Sequence, residues 1–188
     1  MKTSHTLIVK NDPTFAVTVE KIPRPEPKAD EVVIRVQWSA VNYKDALALS
    51  ERGGVLRQYP MTPGIDLAGV IVESRDSQFP EGLPVLVTGF GLGVSHPGGL
   101  SEFQAVPTSW LVPLPSTKSL REAALIGTAG FTAALALREV VAKTTPEQAV
   151  AVTGASGGVG SFAIALLSQL GYDNITGGWR KKDVADEL

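Results

Sequence analysis

The sequence predicts a mixed α/β protein in which a small antiparallel β-barrel is followed by the start of a parallel α/β domain. Up to about Pro115 the chain alternates short β-rich runs with proline and glycine, and beyond that point alanine and leucine recur at helical spacing. A glycine-rich turn then lies between a short apolar strand and a further helical run. Strand, glycine turn and helix in this order open a parallel α/β domain.

Six short β-rich runs account for the predicted barrel. Strands of this length and spacing are typical of a small antiparallel barrel or sandwich. The runs are Leu7–Lys10, Ala16–Lys21, Glu31–Trp38, Gly69–Glu73, Val85–Thr88 and Glu102–Val106.

The second part of the chain is predicted to begin with helices and to continue into a parallel sheet. Alanine and leucine at helical spacing predict two helices, and a strand, a further helix and a weak strand follow. These elements are Ser119–Ile126, Phe131–Ala142, Ala149–Thr153, Ser161–Leu170 and Asp173–Lys182, with Lys182–Leu188 resembling the first turns of another helix. One βαβ unit cannot form a doubly wound sheet, so we expect residues 1–118 and 119–188 to be two domains, the second truncated.

Composition excludes several classes of function. The net charge of −2 argues against a broad surface for nucleic acid or an anionic membrane. The absence of cysteine removes disulfides, thiol nucleophiles and cysteine-based metal sites, and two histidines are too few for a histidine cage, so we expect no metal. No signal peptide or membrane-spanning run is apparent, which predicts a cytoplasmic protein.

The glycine turn carries the strongest chemical signal. It runs Thr153-Gly154-Ala155-Ser156-Gly157-Gly158-Val159-Gly160 between the apolar strand and the helix. Glycines allow a sharp turn and a close approach to a pyrophosphate, and the N-terminus of the following helix favours that anion. This context predicts a dinucleotide site; a purely structural turn is the alternative.

The choice between NADH and NADPH depends on the end of the next strand. There the chain reads Gly177-Gly178-Trp179-Arg180-Lys181-Lys182. A basic residue at this position accommodates the 2′-phosphate of NADPH, so Arg180 is the candidate, with Lys181 or Lys182 assisting. A solvated start of a helix is the alternative.

Three further segments, with the glycine turn, carry a family resemblance. They are Trp38-Ser39-Ala40-Val41-Asn42-Tyr43-Lys44-Asp45-Ala46-Leu47, Pro63-Gly64-Ile65-Asp66-Leu67-Ala68-Gly69 and Ile126-Gly127-Thr128-Ala129-Gly130-Phe131-Thr132-Ala133. In this order the chain resembles the medium-chain dehydrogenase/reductases, in the quinone-oxidoreductase-like branch that includes acryloyl-CoA reductases. Zinc-dependent members have a cysteine before the aspartate of the first segment and a His-Glu pair in the second, which this chain lacks. The resemblance therefore implies a zinc-independent enzyme.

The resemblance also implies a fold and a set of site residues. It implies a GroES-like barrel, an incomplete Rossmann-type domain and an active site in the cleft between them. Tyr43 would form a wall of the nicotinamide pocket with Asn42 beside it as the two catalytic candidates, and Tyr43 would shape the pocket or donate a proton. The expected cofactor contacts are Tyr43, Thr128, Ser156, Gly157, Gly158, Val159, Gly178, Trp179 and Arg180, although Gly178-Trp179 departs from the small Ser/Thr-Gly pair expected there.

Three functions remain open from the sequence. The first is NADPH-dependent reduction of an activated C=C bond in an acryloyl-CoA-like enoyl thioester, by hydride transfer without a metal. The second is reduction of quinones by NADPH. The third, of another class, is a truncated non-catalytic remnant or binding protein. We expect a small-molecule substrate and no nucleic-acid or membrane partner, and relatives that dimerise through the nucleotide-binding domain make a homodimer an open alternative to a monomer.

Overall fold

The computed structural model describes residues 3–179, which contain nine strands, three α-helices and one 3₁₀ turn. The strands are β1 (Thr3–Asn11), β2 (Phe15–Pro23), β3 (Glu31–Trp38), β4 (Asp66–Glu73), β5 (Pro84–Thr88), β6 (Phe103–Pro107), β7 (Val112–Pro113), β8 (Val150–Thr153) and β9 (Ile175–Gly178). The helices are α1 (Tyr43–Ala48), α2 (Leu120–Val141) and α3 (Gly158–Gln169), and the 3₁₀ turn is Thr108–Trp110. The chain divides into two compact units between Gly127 and Thr128.

The first unit is built on antiparallel strands. Five of them form one sheet in the order β6-β3-β4-β5-β7, and β1 pairs with β2 along its whole length. The free edge of β1 is also used, because the Leu7 N–H donates to the Leu100 carbonyl at 2.9 Å and the Val9 N–H donates to the Met61 carbonyl at 2.8 Å. These bonds join the hairpin to the larger sheet and give the barrel that the sequence predicts.

The barrel core is formed by the inward faces of its strands. Side chains in a strand alternate between the two faces, so every second residue points inward. The buried cluster consists of Val32, Ile34, Leu67, Ile71, Val85, Val87, Leu92, Val106 and Leu111. This packing of aliphatic side chains is the main source of stability for the first unit.

All six predicted strands are present, with small differences at their ends. The strand predicted to begin at Gly69 begins at Asp66, and the strand predicted to begin at Glu102 begins at Phe103. The short helix α1 and the two-residue strand β7 were not predicted, because neither is long enough to show a periodic pattern of apolar residues.

The two helices predicted after residue 118 form one broken element, α2. Its backbone is non-helical at Gly127, where φ is 45° and ψ is −155°. Before the break, Ala123 and Ala124 pack with Ala68 of β4; after the break, Ala133 and Leu137 belong to the core of the second unit. By length and composition α2 could span a membrane. The break divides it into two stretches that are each shorter than the roughly 20 residues needed.

Ser119 caps α2 instead of forming its first residue. Its backbone N–H and its hydroxyl both donate to the Glu122 carboxylate, at 2.8 and 2.7 Å, and the Glu122 N–H donates back to Ser119 Oγ at 3.2 Å. The Ser119 N–H holds the pKa of Glu122 below its ordinary value. This capping box is therefore intact at neutral pH, and it weakens in acid as the pH falls through that lowered pKa.

The second unit contains the parallel pair β8 and β9 joined through α3. Its core consists of Ala133, Leu137, Ala163, Leu167 and Tyr172. The helix predicted to begin at Ser161 begins at Gly158, so the glycine turn is shorter than expected. Strand β9 lies within the predicted strand Asp173–Lys182; the end of that prediction and the helix predicted over Lys182–Leu188 lie outside the described residues. The predicted domain boundary between residues 118 and 119 stays a prediction.

We expect Val87→Ala to lower the free energy of unfolding by about 2 kcal/mol, because it removes two buried carbon atoms and leaves a cavity. Val87 is fully buried in β5, whereas Val19 of β2 is 70% exposed and makes Val19→Ala a matched control. The control should change stability by less than about 0.5 kcal/mol. Urea denaturation of both variants measures the difference, and equal losses would contradict the assignment of Val87 to the core.

Candidate functional site

The glycine turn joins the end of β8 directly to the start of α3. Gly154 has a positive φ of 66°, which a side chain would disfavour, and the Gly157 N–H donates to the Gly154 carbonyl at 2.9 Å. Helix α3 begins directly after it, because the Ser161 N–H donates to the Gly157 carbonyl at 2.9 Å. The chain reverses within four residues and begins a helix at the edge of the parallel sheet.

Gly160 lets the helix approach this turn closely. A Cβ atom built on Gly160 would lie 2.2 Å from the Gly154 carbonyl oxygen and 2.8 Å from the Cα of Ala155. Both neighbours are backbone atoms, so they cannot move aside as a flexible side chain could. Glycine is therefore required at position 160 for the packing of α3 on the turn.

The N-terminus of α3 is open to an anion. No side chain caps Gly157, and the hydroxyl of Ser161 in the first turn donates to the Gly158 carbonyl at 3.1 Å. The backbone N–H groups of the first turn of a helix have no acceptor within the helix, and the helix dipole makes this end positive. The predicted phosphate contacts are all exposed here: Ser156, Gly157, Gly158 and Val159. This arrangement fits a pyrophosphate.

The end of β9 lies beside the same turn. The Ala155 N–H donates to the Gly178 carbonyl at 3.1 Å, so Gly178 contacts the turn through its backbone. The ring of Trp179 covers Gly177, where an added Cβ would lie 3.5 Å from its Cζ3 atom. Gly178 therefore lies next to the glycine turn and Trp179 lies against Gly177 of the same strand, while their role as cofactor contacts stays a prediction. Arg180, predicted to bind a 2′-phosphate, lies outside the described residues.

Thr128 begins the second part of α2, and its half-buried position belongs to the second unit. Its carbonyl accepts a bond from Thr132 Oγ1 at 2.7 Å. The neighbouring residue Ala129 would contact a Cβ on Gly158 at 3.3 Å. This end of α2 therefore packs close to the N-terminus of α3, and Thr128 lies near the predicted phosphate contacts.

The other two predicted site residues, Asn42 and Tyr43, lie in the first unit on a loop held by a buried carboxylate. Asp45 is almost fully buried, and its Oδ1 accepts the N–H groups of Gly64 at 3.1 Å and Ile65 at 3.0 Å. Its Oδ2 accepts the Asn42 N–H at 2.8 Å. These three bonds to backbone donors attach the start of α1 to the segment before β4.

A second buried carboxylate, Asp66, fixes the side chain of Asn42. The Asn42 amide donates to Asp66 Oδ2 at 2.8 Å, and Ser39 Oγ donates to the Asp66 carbonyl at 2.8 Å. A Cβ on Gly127 would lie 2.7 Å from the same Oδ2 atom. Asp66 therefore requires glycine at position 127, and it positions the residue immediately before Tyr43. Sequence reasoning did not select Asp66 as a site residue, although it lies within a motif that carries the resemblance.

Tyr43 is exposed on the loop that Asp45 and Asp66 hold in place. Its side chain is 80% exposed at the first position of α1, next to the fixed Asn42. The predicted contacts thus form two groups, one on the loop of the first unit and one around the glycine turn of the second. Within residues 3–179 no group of three or more histidine, aspartate or glutamate residues could hold a metal ion.

Gly160→Ala should lower the free energy of unfolding by about 1–3 kcal/mol, because its Cβ would overlap the backbone of the turn. Gly158→Ala is the matched control, since its Cβ would meet only the Ala129 methyl group at 3.3 Å. Chemical denaturation compares the two. If the two variants are equally stable, the close approach of α3 to the turn is wrong.

Asp45→Asn should lower the free energy of unfolding by about 2 kcal/mol, because an amide group replaces an oxygen that accepts backbone N–H groups. Asp30→Asn provides the control, because Asp30 is exposed and its carboxylate makes no hydrogen bond within residues 3–179. Thermal and urea denaturation measure both variants. A loss in the control as large as that in Asp45→Asn would assign the effect to net charge.

Comparison with known proteins supports this organisation. Residues 28–116 match the family described as Alcohol dehydrogenase GroES-like domain. The Bacillus subtilis protein YhfP, provisionally named a quinone oxidoreductase, is 45% identical over 95% of this chain and 54% of its own length. Its crystal structure with NAD bound superimposes with a TM-score of 0.89, covering 98% of this chain and 56% of that one.

Two further relatives carry related names. Acrylyl-CoA reductase AcuI of Ruegeria pomeroyi is 47% identical over 76% of this chain and 44% of its own length. The YhdH oxidoreductase from Salmonella enterica, in complex with NADP, is 41% identical with a TM-score of 0.89, covering 97% of this chain and 57% of that one. The chain spans about half the length of the curated relatives it matches. With a GroES-like barrel and a glycine turn in this order, the chain belongs to the medium-chain dehydrogenase/reductase superfamily, in its quinone-oxidoreductase-like branch.

Proposed function

We propose that this chain provides the barrel and the phosphate-binding turn of an NADPH-dependent oxidoreductase that reduces the C=C bond of an acryloyl-CoA-like enoyl thioester. The observation that carries the proposal is the uncapped N-terminus of α3 beside an exposed glycine turn. The same chain is 47% identical to an acrylyl-CoA reductase and 41% identical to an oxidoreductase with NADP bound.

The turn would hold the cofactor by its pyrophosphate. The N–H groups of Gly158 and Val159 belong to the first turn of α3 and can donate to phosphate oxygens. Gly157 has no side chain to block that approach, and Ser156 adds a hydroxyl on the exposed side of the turn. When bound, the nicotinamide supplies a hydride to the electron-poor β-carbon of the substrate.

The loop of the first unit would serve the substrate and the nicotinamide ring. Asp45 and Asp66 fix the backbone and side chain of Asn42, the residue immediately before Tyr43. A phenol is a weak acid at neutral pH, so we assign Tyr43 to shaping the pocket in preference to protonating the α-carbon. The reaction then depends mainly on holding two planar groups at reacting distance.

Quinone reduction is the second candidate, and the provisional name of YhfP favours it. Purified protein assayed with NADPH and either acryloyl-CoA or a soluble quinone separates the two candidates through the loss of nicotinamide absorbance. Reduction of the thioester at a clearly higher kcat/KM supports the proposal, and faster reduction of the quinone would replace it with the second candidate. The expected homodimer and cytoplasmic location stay predictions.

Preference for NADPH provides the sharpest test of the cofactor proposal. We expect Arg180→Gln to weaken NADPH binding about tenfold, because it removes a cation from the 2′-phosphate, and to leave NADH binding unchanged. Arg138→Gln is the control: this arginine lies on the exposed end of α2, where it pairs with Glu139 at 3.7 Å. Titration followed by nicotinamide fluorescence gives both affinities.

Each result of this titration has a distinct meaning. Equal binding of NADPH and NADH by the unmodified protein would remove the 2′-phosphate role of Arg180 and leave a nicotinamide-dependent oxidoreductase. An equal effect of the two substitutions would assign the loss to general charge. If a folded protein binds neither nucleotide, the proposed function fails and the non-catalytic alternative takes its place.

A further inference from the structure

A cavity of about 380 Å³ in the first unit lies beside the loop that carries Asn42 and Tyr43. It is formed by the end of β3 and the segment that follows it, together with the beginning of α2. Its lining residues are Trp38, Ser39, Ala40, Val41, Arg121, Ala124 and Leu125. Its volume is within the range of roughly 300–1,000 Å³ that is typical of small-molecule sites.

The walls of this cavity are mainly apolar; their polar side chains are Ser39, whose hydroxyl donates to the Asp66 carbonyl, and the cation Arg121. The guanidinium carbon of Arg121 lies 6.0 Å from the centre of the Trp38 ring, which orients the planar group over the indole. None of the lining residues is acidic, and none of the salt bridges within residues 3–179 involves Arg121. Trp38 remains 45% exposed, so a ligand can reach both groups.

These groups select a particular kind of ligand. A guanidinium offers paired N–H donors in a plane, which match two oxygens of a phosphate group. The indole and the side chains of Val41 and Leu125 offer flat and aliphatic surfaces to the uncharged part of the same molecule. A neutral quinone would offer no anionic acceptor to the Arg121 guanidinium. The nucleotide end of an acyl-CoA carries phosphate groups, which match the guanidinium, and a planar base, which matches the indole.

We propose that the cavity lined by Trp38 and Arg121 binds the nucleotide end of the CoA substrate, with Arg121 as the phosphate-recognising residue. This inference rests on the proposed function, because it assigns the substrate-recognition site of that enzyme. It makes Arg121 a specificity residue that separates CoA thioesters from quinones. One wall of the site, from Trp38 to Val41, belongs to the segment that leads directly to Tyr43.

The test measures binding of free CoA and of pantetheine, which lacks the nucleotide, by calorimetric titration without nicotinamide. Arg121→Gln should weaken CoA binding about tenfold and leave pantetheine binding unchanged, because one charge-assisted phosphate contact is lost. Arg121→Lys keeps the charge without the planar fork and should give an intermediate loss. Arg52→Gln removes one exposed charge of the same unit outside the cavity and should have no effect.

Several results would overturn the assignment. Unchanged CoA affinity in Arg121→Gln would do so, as would an equal loss in Arg52→Gln, which would indicate general charge attraction. Equal losses for CoA and pantetheine would assign Arg121 to holding Trp38 in place. If Arg121→Gln does not fold, Arg121→Lys gives the same comparison. Because no nicotinamide is present, this result is independent of the titration that tests the cofactor site.

Discussion

The loop that carries Asn42 and Tyr43 depends on buried carboxylates that accept backbone N–H groups. Asp45 receives three such bonds, two of them from the segment that leads into β4. An ionised carboxylate is costly to bury unless its oxygens are satisfied, so these bonds both permit the burial and define the path of the loop. Removing this acceptor would release α1 from the barrel at the point where Tyr43 is presented.

The glycine turn of the second unit follows a different physical logic. Its geometry depends on the absence of side chains, since a Cβ on Gly160 would overlap the backbone of Gly154. Close packing brings the start of α3 against the end of β8 and leaves the first-turn N–H groups facing outward. The first unit therefore positions its candidate residues through hydrogen bonds to buried carboxylates. The second positions its phosphate site through close backbone packing, which leaves no room for a side chain at Gly160.

These two mechanisms explain which features could be predicted from the sequence. Alternating apolar residues predict the barrel strands, and a glycine turn between an apolar strand and a helical run predicts the phosphate site in its local context. The contact between Asn42 and Asp66 could not be predicted, because no periodicity relates residues that are 24 positions apart. Helix α1 was missed for the same reason: six residues held by a distant backbone carry little pattern of their own.

Gly127 illustrates how a residue without a side chain can resist substitution. Its backbone lies in a region of positive φ that other residues avoid, and the space that a Cβ would need is filled by the Asp66 carboxylate. Every other amino acid adds at least that one atom, so both obstacles apply whatever the substitution. In a saturation library of this chain, almost no substitution at position 127 would therefore give a folded protein. A map of tolerated substitutions would mark that glycine as strongly as any binding residue.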